Sequence, residues 1–153
     1  MNSNDPGSDT ALKLQYDEAY DFLVGLADLF FAGNRERVIL IPGNHDVSHP
    51  HVLRATAVED LPLDKEKRAV VAKQLATDGA VWRWVWSEFV LRRVVNPTVY
   101  RERLKPFADF FEAFYEGRHS FSLNPGDQFV LHDFPKLGIA VVGLSSCCDN
   151  DLF

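Results

Sequence analysis

The sequence predicts a layered α/β fold with a helical block between two β-forming regions, and three observations carry that reading. Apolar residues recur at helical spacing over residues 11–31. An unbroken, β-branched apolar run follows at residues 38–41. Near the C-terminus, two apolar segments over residues 128–132 and 139–144 are separated by a short link, the pattern of a hairpin. With 153 residues, 46% hydrophobic and 25% charged, the chain suits about one domain and is not predominantly disordered.

In the first segment, Leu12, Tyr16, Ala19, Phe22, Leu23, Leu26, Leu29 and Phe30 fall three and four residues apart, one face of an amphipathic helix. Gly33 and Asn34 suit its stop. Val38-Ile39-Leu40-Ile41 then reads as a strand buried on both faces, ending abruptly at Pro42-Gly43. Helix, turn and buried strand in that order form half of a layered α/β unit.

Residues 64–93 read as helical, with Asp64 as N-cap, Gly79 as a division and Asn96-Pro97 as a stop. A third helix is predicted over residues 100–116, with Leu104, Phe107, Phe111 and Phe114 on one face and Phe110 and Tyr115 widening it. Pro106 within it predicts a kink or a later start. After the hairpin comes a polar segment containing Cys147, Cys148, Asp149, Asn150 and Asp151. In α/β proteins such a segment, directly off a buried strand, is where ligands tend to be held.

The net charge of −6 excludes a strongly basic nucleic-acid binder as a whole, but the charge is uneven. Residues 64–105 carry ten Lys or Arg against five Asp or Glu, while both flanks are acidic. Trp82, Trp84, Trp86 and Phe89 lie in this basic block. They are expected to pack it onto the sheet with Arg83, Arg92 and Arg93 facing water; the sharper alternative is a cationic face for a phosphate-rich substrate. The adjacent cysteines make neither a relaxed disulfide nor a complete zinc site, and are expected to be small semi-buried residues at a strand end. With no apolar run long enough to span a bilayer and a polar, acidic start over residues 1–10, the chain reads as cytoplasmic.

The chemistry concentrates in Pro42-Gly43-Asn44-His45-Asp46-Val47. Gly43 is expected to permit a tight turn that projects the next side chains beyond the end of the strand. Asn44 offers a neutral carbonyl oxygen for a divalent metal, His45 hydrogen-bonds or donates a proton near neutral pH, and Asp46 orients the imidazole. That combination suits attack on a phosphate ester.

These residues, VILIPGNHDV, resemble the Gly-Asn-His-Asp block of the calcineurin-like metallophosphoesterases. The later His132-Asp133-Phe134-Pro135, GIAVVGLSSC and Asp149-Asn150-Asp151 are similar to that family's hairpin, whose strand ends in a turn close to the metals. The likeness covers roughly residues 11–50 and 120–151. It implies a sandwich of mixed sheets flanked by helices, with a helical insertion over about residues 60–118. It also implies a hydrolase cleaving phosphate mono- or diesters with two divalent metals such as manganese, iron or zinc. By the resemblance, Asn44 would bind one metal, His45 would sit beside the phosphate to stabilise the transition state or protonate the leaving oxygen, and Asp46 would hold His45. A metal-bridging hydroxide would be the nucleophile.

The family's complete site also needs an upstream Asp-x-His, a Gly-Asp that bridges the metals and a downstream His with Gly-His-x-His, and none of these occurs in the required order. Residues 1–153 are therefore expected to be a partial metallophosphoesterase domain, an internal portion whose metal site is completed by missing segments or a partner chain. The substrate would be a phosphate ester, with the basic insertion favouring nucleic acid or nucleotide. The competing expectation is a catalytically silent remnant serving as a binding or regulatory module through the Trp-rich basic block. His49 and His51 are expected to be solvated loop residues, and His119 and His132 structural ones. The His-Asp pairs at His45 and His132 also match the all-helical His-Asp phosphohydrolases, but both adjoin predicted strands, which sets that family aside.

Overall fold

The computed structural model describes residues 8–75, 77, 81–86, 88–145 and 147. Gly79, Cys148, Asp149, Asn150 and Asp151, all singled out from the sequence, lie outside the described residues. The fold is mixed α/β, and the described residues form two small antiparallel sheets. Among the described residues, no helix is long and apolar enough to cross a membrane.

Helix α1 (Asp9–Phe31) starts at Ser8, whose hydroxyl accepts from the Ala11 amide, and ends at Ala32 and Gly33, both in the left-handed region. Leu12 and Ala27 are buried, but Phe22, Leu29 and Phe30 on the predicted apolar stripe are exposed. The stripe is longer than the surface available to cover it. Asn34 caps a single 3-10 turn at Arg35–Arg37.

The run at residues 38–41 does not form the predicted strand. Residues 39–43 carry no regular structure, and the run joins neither sheet. Val38, Ile39 and Leu40 nevertheless pack against the core, and the Tyr115 hydroxyl donates to the Val38 carbonyl at 2.5 Å. Its apolar character therefore serves packing, without a neighbouring strand among the described residues to complete a ladder. Ile41 lies over the end of the C-terminal hairpin, at Gly143.

A 3-10 turn at Asn44–Asp46 leads into helix α2 (His49–Ala55), followed by strand β1 (Thr56–Glu59) and helix α3 (Lys65–Leu75). Asp64 accepts from the Glu66 and Lys67 amides, capping α3 as the sequence predicts. The predicted helix over residues 64–93 then gives way to strands β2 (Trp82–Val85) and β3 (Val90–Val94). The sheet order is β1-β3-β2, with β3 antiparallel to both neighbours. The helical insertion therefore contains a sheet, because Trp82-Arg83-Trp84-Val85 is a period-two pattern of β-favouring residues.

The basic block is also oriented differently from expectation. Arg83 and Arg92 stand directly opposite each other in the register and are buried, whereas Trp86 and Phe89 are 70% and 73% exposed. Arg92 Nε donates to Thr56 Oγ1 at 2.8 Å, and Arg83 Nε to the Tyr100 hydroxyl at 2.6 Å. Arg93 is the one that reaches outward, pairing with Glu59 at 2.7 Å.

Asn96-Pro97, read as a stop, starts helix α4 (Pro97–Arg101): Asn96 accepts from the Val99 amide, and Pro97 fills the first turn, where its missing N–H costs nothing. After a 3-10 turn, helix α5 (Lys105–Phe114) places Pro106 in its first turn, the later start that the sequence allowed. Phe107, Phe111 and Phe114 are buried as predicted, joined by Leu104 and Tyr115. Tyr16 of α1 stacks on Phe110 with centroids 4.8 Å apart, seating α1 on α5. Strands β4 (Phe129–Phe134) and β5 (Ile139–Leu144) form the predicted antiparallel hairpin, with Gly138 at φ 65° closing the link.

Candidate functional site

The Asn-His turn is held from behind by Asp46. One carboxylate oxygen accepts from the Gly43 amide at 2.7 Å and the other from the Tyr16 hydroxyl at 2.7 Å, while the Asp46 amide donates to the Gly43 carbonyl. This reciprocal capping closes the turn on itself and ties it to α1. Burial first, and then the Asp46 charge, push the Tyr16 phenol far above its ordinary range, so it stays a donor. Asn44 is half-buried and His45 exposed on this anchored turn.

One expectation meets a different geometry. Gly43 has φ −105°, and an added Cβ would meet only Asp46 Oδ2 at 3.8 Å, so the turn does not require glycine for backbone conformation or space. The oxygens of Asp46 are engaged by Gly43 and Tyr16, which makes this carboxylate the anchor of the turn.

The turn also lies beside the segment that follows β5. The Ser48 amide donates to the Arg103 carbonyl at 2.8 Å, and Arg103 Nη2 donates to the Cys147 carbonyl at 3.2 Å. Arg103 is wholly buried, with its guanidinium 4.3 Å from the centre of the Tyr100 ring. It thereby links Ser48, just after the turn, to Cys147, the described residue of the polar segment that the sequence singled out. Cys147 is buried, as expected of a small residue past a strand end. Its partner Cys148 lies outside the described residues.

The remaining histidines divide. His119 Nε2 lies 2.7 Å from Glu36 Oε2, and His132 is buried against Tyr115 with ring centroids 6.0 Å apart, a structural placement for both. Burial, reinforced by the neighbouring His119 and opposed by Glu36, lowers the His132 pKa. His51 is not a solvated loop residue. It sits on α2 with its side chain 17% exposed and Nδ1 2.7 Å from Ser48 Oγ, which donates to Asp9 Oδ1 at 2.5 Å. Sequence reading missed this chain of contacts, as it missed Tyr16 and Arg103. The available signal was Ser48 two residues before Pro50, a helix start that turns His51 inward.

The described residues do not by themselves fit a dinuclear metal centre. Among them, no group of three or more His, Cys, Asp and Glu side chains gathers, and Asn44 supplies a single neutral donor. Neither a family model, a curated protein nor a solved structure matches the chain.

Proposed function

We propose that the chain carries the Asn-His turn of a metal-dependent phosphoesterase of the calcineurin-like kind, part of a larger sandwich, hydrolysing phosphate mono- or diesters. The observation that supports this most is the turn itself. Asp46, held by Gly43 and Tyr16, anchors the turn that carries half-buried Asn44 and exposed His45. An anchored turn that presents a histidine at the surface suits a group that must meet a phosphoryl oxygen repeatedly in one geometry.

In this reading His45 hydrogen-bonds a phosphoryl oxygen or protonates the leaving oxygen, and Asn44 contributes one neutral oxygen to a metal. Asp46 acts through the turn as its anchor. The other metal ligands come from outside the described residues, either from this chain or from a partner chain. The test is manganese-dependent hydrolysis of bis(4-nitrophenyl) phosphate by the protein purified from its own cells together with any chain that co-purifies. Asn44→Ala and His45→Ala are each expected to lower turnover about a hundredfold or more. Turnover that is absent, or indifferent to both substitutions, overturns the reading.

A further inference from the structure

A cleft of about 490 Å³ opens between α1 and α5, and Tyr16, which donates to Asp46, is one of its lining residues. Aromatic Tyr16, Tyr20 and Phe110 line it beside charged residues of α1 and α5, and His51 of α2 lines it too. The volume lies within the range of small-molecule pockets, about 300–1,000 Å³.

The charges at its rim are already satisfied. Lys13 pairs with Asp17 at 2.9 Å along α1, Lys105 pairs with Asp109 along α5, and Asp9 accepts from Ser48. A neutral ligand leaves all of these pairs in place.

The Ser48 hydroxyl has one proton, and it goes to the Asp9 carboxylate. The contact between Ser48 Oγ and His51 Nδ1 must then be a donation from the imidazole. The neutral ring consequently carries its proton on Nδ1 and a lone pair on Nε2, which no described residue engages. This order also excludes Ser48 as a nucleophile: its hydroxyl is wholly buried and receives the histidine's proton instead of giving one up.

The geometry points to this cleft as a binding site for a neutral, planar aromatic molecule carrying one N–H or O–H donor, with the ring against Tyr16, Tyr20 and Phe110 and the donor on His51 Nε2. Ser48 and Asp9 are positioning residues that fix the accepting tautomer. The proposal does not rest on the phosphoesterase reading, since Asn44 and His45 do not line the cleft, although Tyr16 in its wall also donates to Asp46.

The experiment compares indole with benzothiophene, a ring of nearly the same shape without the donor, by NMR titration of the full chain at mildly alkaline pH. Indole is expected to shift the His51 Nε2 resonance together with Tyr16 and Tyr20 signals, and to bind about tenfold more tightly than the more apolar benzothiophene. His51→Phe, which keeps an apolar ring at the edge, should abolish the preference. Asp9→Ala should abolish it as well, because the Ser48 proton is then free to turn to Nδ1 and move the ring proton to Nε2. Asp9 is at a half-exposed position, so this variant also serves if the His51 variant folds poorly. Equal affinity for the two probes, no shift at His51, or a preference that survives in either folded variant would overturn the proposal.

Discussion

The Tyr16 hydroxyl donates to Asp46 Oδ1 across 2.7 Å, so one hydrogen bond joins the first turns of α1 to the Asn-His turn thirty residues later. Asp46 in turn closes that turn through the Gly43 amide. Tyr16→Phe keeps the stack on Phe110 but leaves the carboxylate short of a donor. It should cost about 1–2 kcal/mol of stability, read by urea unfolding, and speed amide exchange at Gly43 and Asp46. Unchanged exchange at both amides would show that the turn does not depend on α1.

Gly143 determines how closely residues 38–41 approach the hairpin. A Cβ there would lie 2.3 Å from Ile41 Cγ2 and 2.7 Å from Val130 Cγ2, both on stiff β-branched side chains. Gly143→Ala should destabilise the fold by about 1–3 kcal/mol, and adding Ile41→Ala should recover part of that loss. Strict additivity of the two substitutions in denaturant unfolding would contradict the contact.

Stability should fall at both ends of the pH range. The His132 pKa is lowered in the folded state, so its contribution is full above the ordinary value of 6.5 and is lost as pH falls below it, when the unfolded chain takes the proton first. Burial pushes the Tyr115 phenol up to about 12, with a backbone hydrogen bond at Leu40 opposing part of that rise and Glu36 adding to it. Its contribution is therefore full below the ordinary value of about 10 and lost as pH rises towards about 12. Unfolding measured at about pH 5 and about pH 8 should show the acid loss in the parent and a smaller one in His132→Phe. The same loss in both would place its origin elsewhere.

Neighbouring arginines on β3 should respond unequally to charge reversal. Arg92→Glu puts a carboxylate at a buried position opposite Arg83 and removes the bond to Thr56, which should cost about 2 kcal/mol or more. Arg93→Glu breaks only a partly exposed pair with Glu59 and should cost less than about 1 kcal/mol. Equal effects in thermal unfolding would refute the inward orientation of Arg92.

What could be read from the sequence follows from which interactions are local. The start and stop of α1, the Asp64 cap, the apolar face of α5 and the hairpin all rest on capping groups, periodicity or short links, which neighbouring residues decide. The misread elements depend on distant partners. Residues 38–41 have the composition of a buried strand but no strand beside them among the described residues. Arg83 and Arg92 turn inward because Tyr100 and Thr56 supply acceptors that no local pattern reveals. Asn96-Pro97 is ambiguous by nature, since Asn followed by Pro can end one helix or cap the next. At the candidate site, Asn44, His45 and Asp46 stood out as a motif. Their support from Tyr16, and the Asp9, Ser48 and His51 chain, appear only once α1 packs beside the turn.

The proposed membership of Asn44 and His45 in a phosphoesterase centre is read from hydrolysis of bis(4-nitrophenyl) phosphate with and without manganese. The assay should use the protein isolated with its natural partners and the Asn44→Ala and His45→Ala variants. Turnover is expected to require the metal and to fall about a hundredfold or more in each variant while the fold is retained. No metal-dependent turnover from the folded protein, or equal turnover in parent and variants, would contradict that membership.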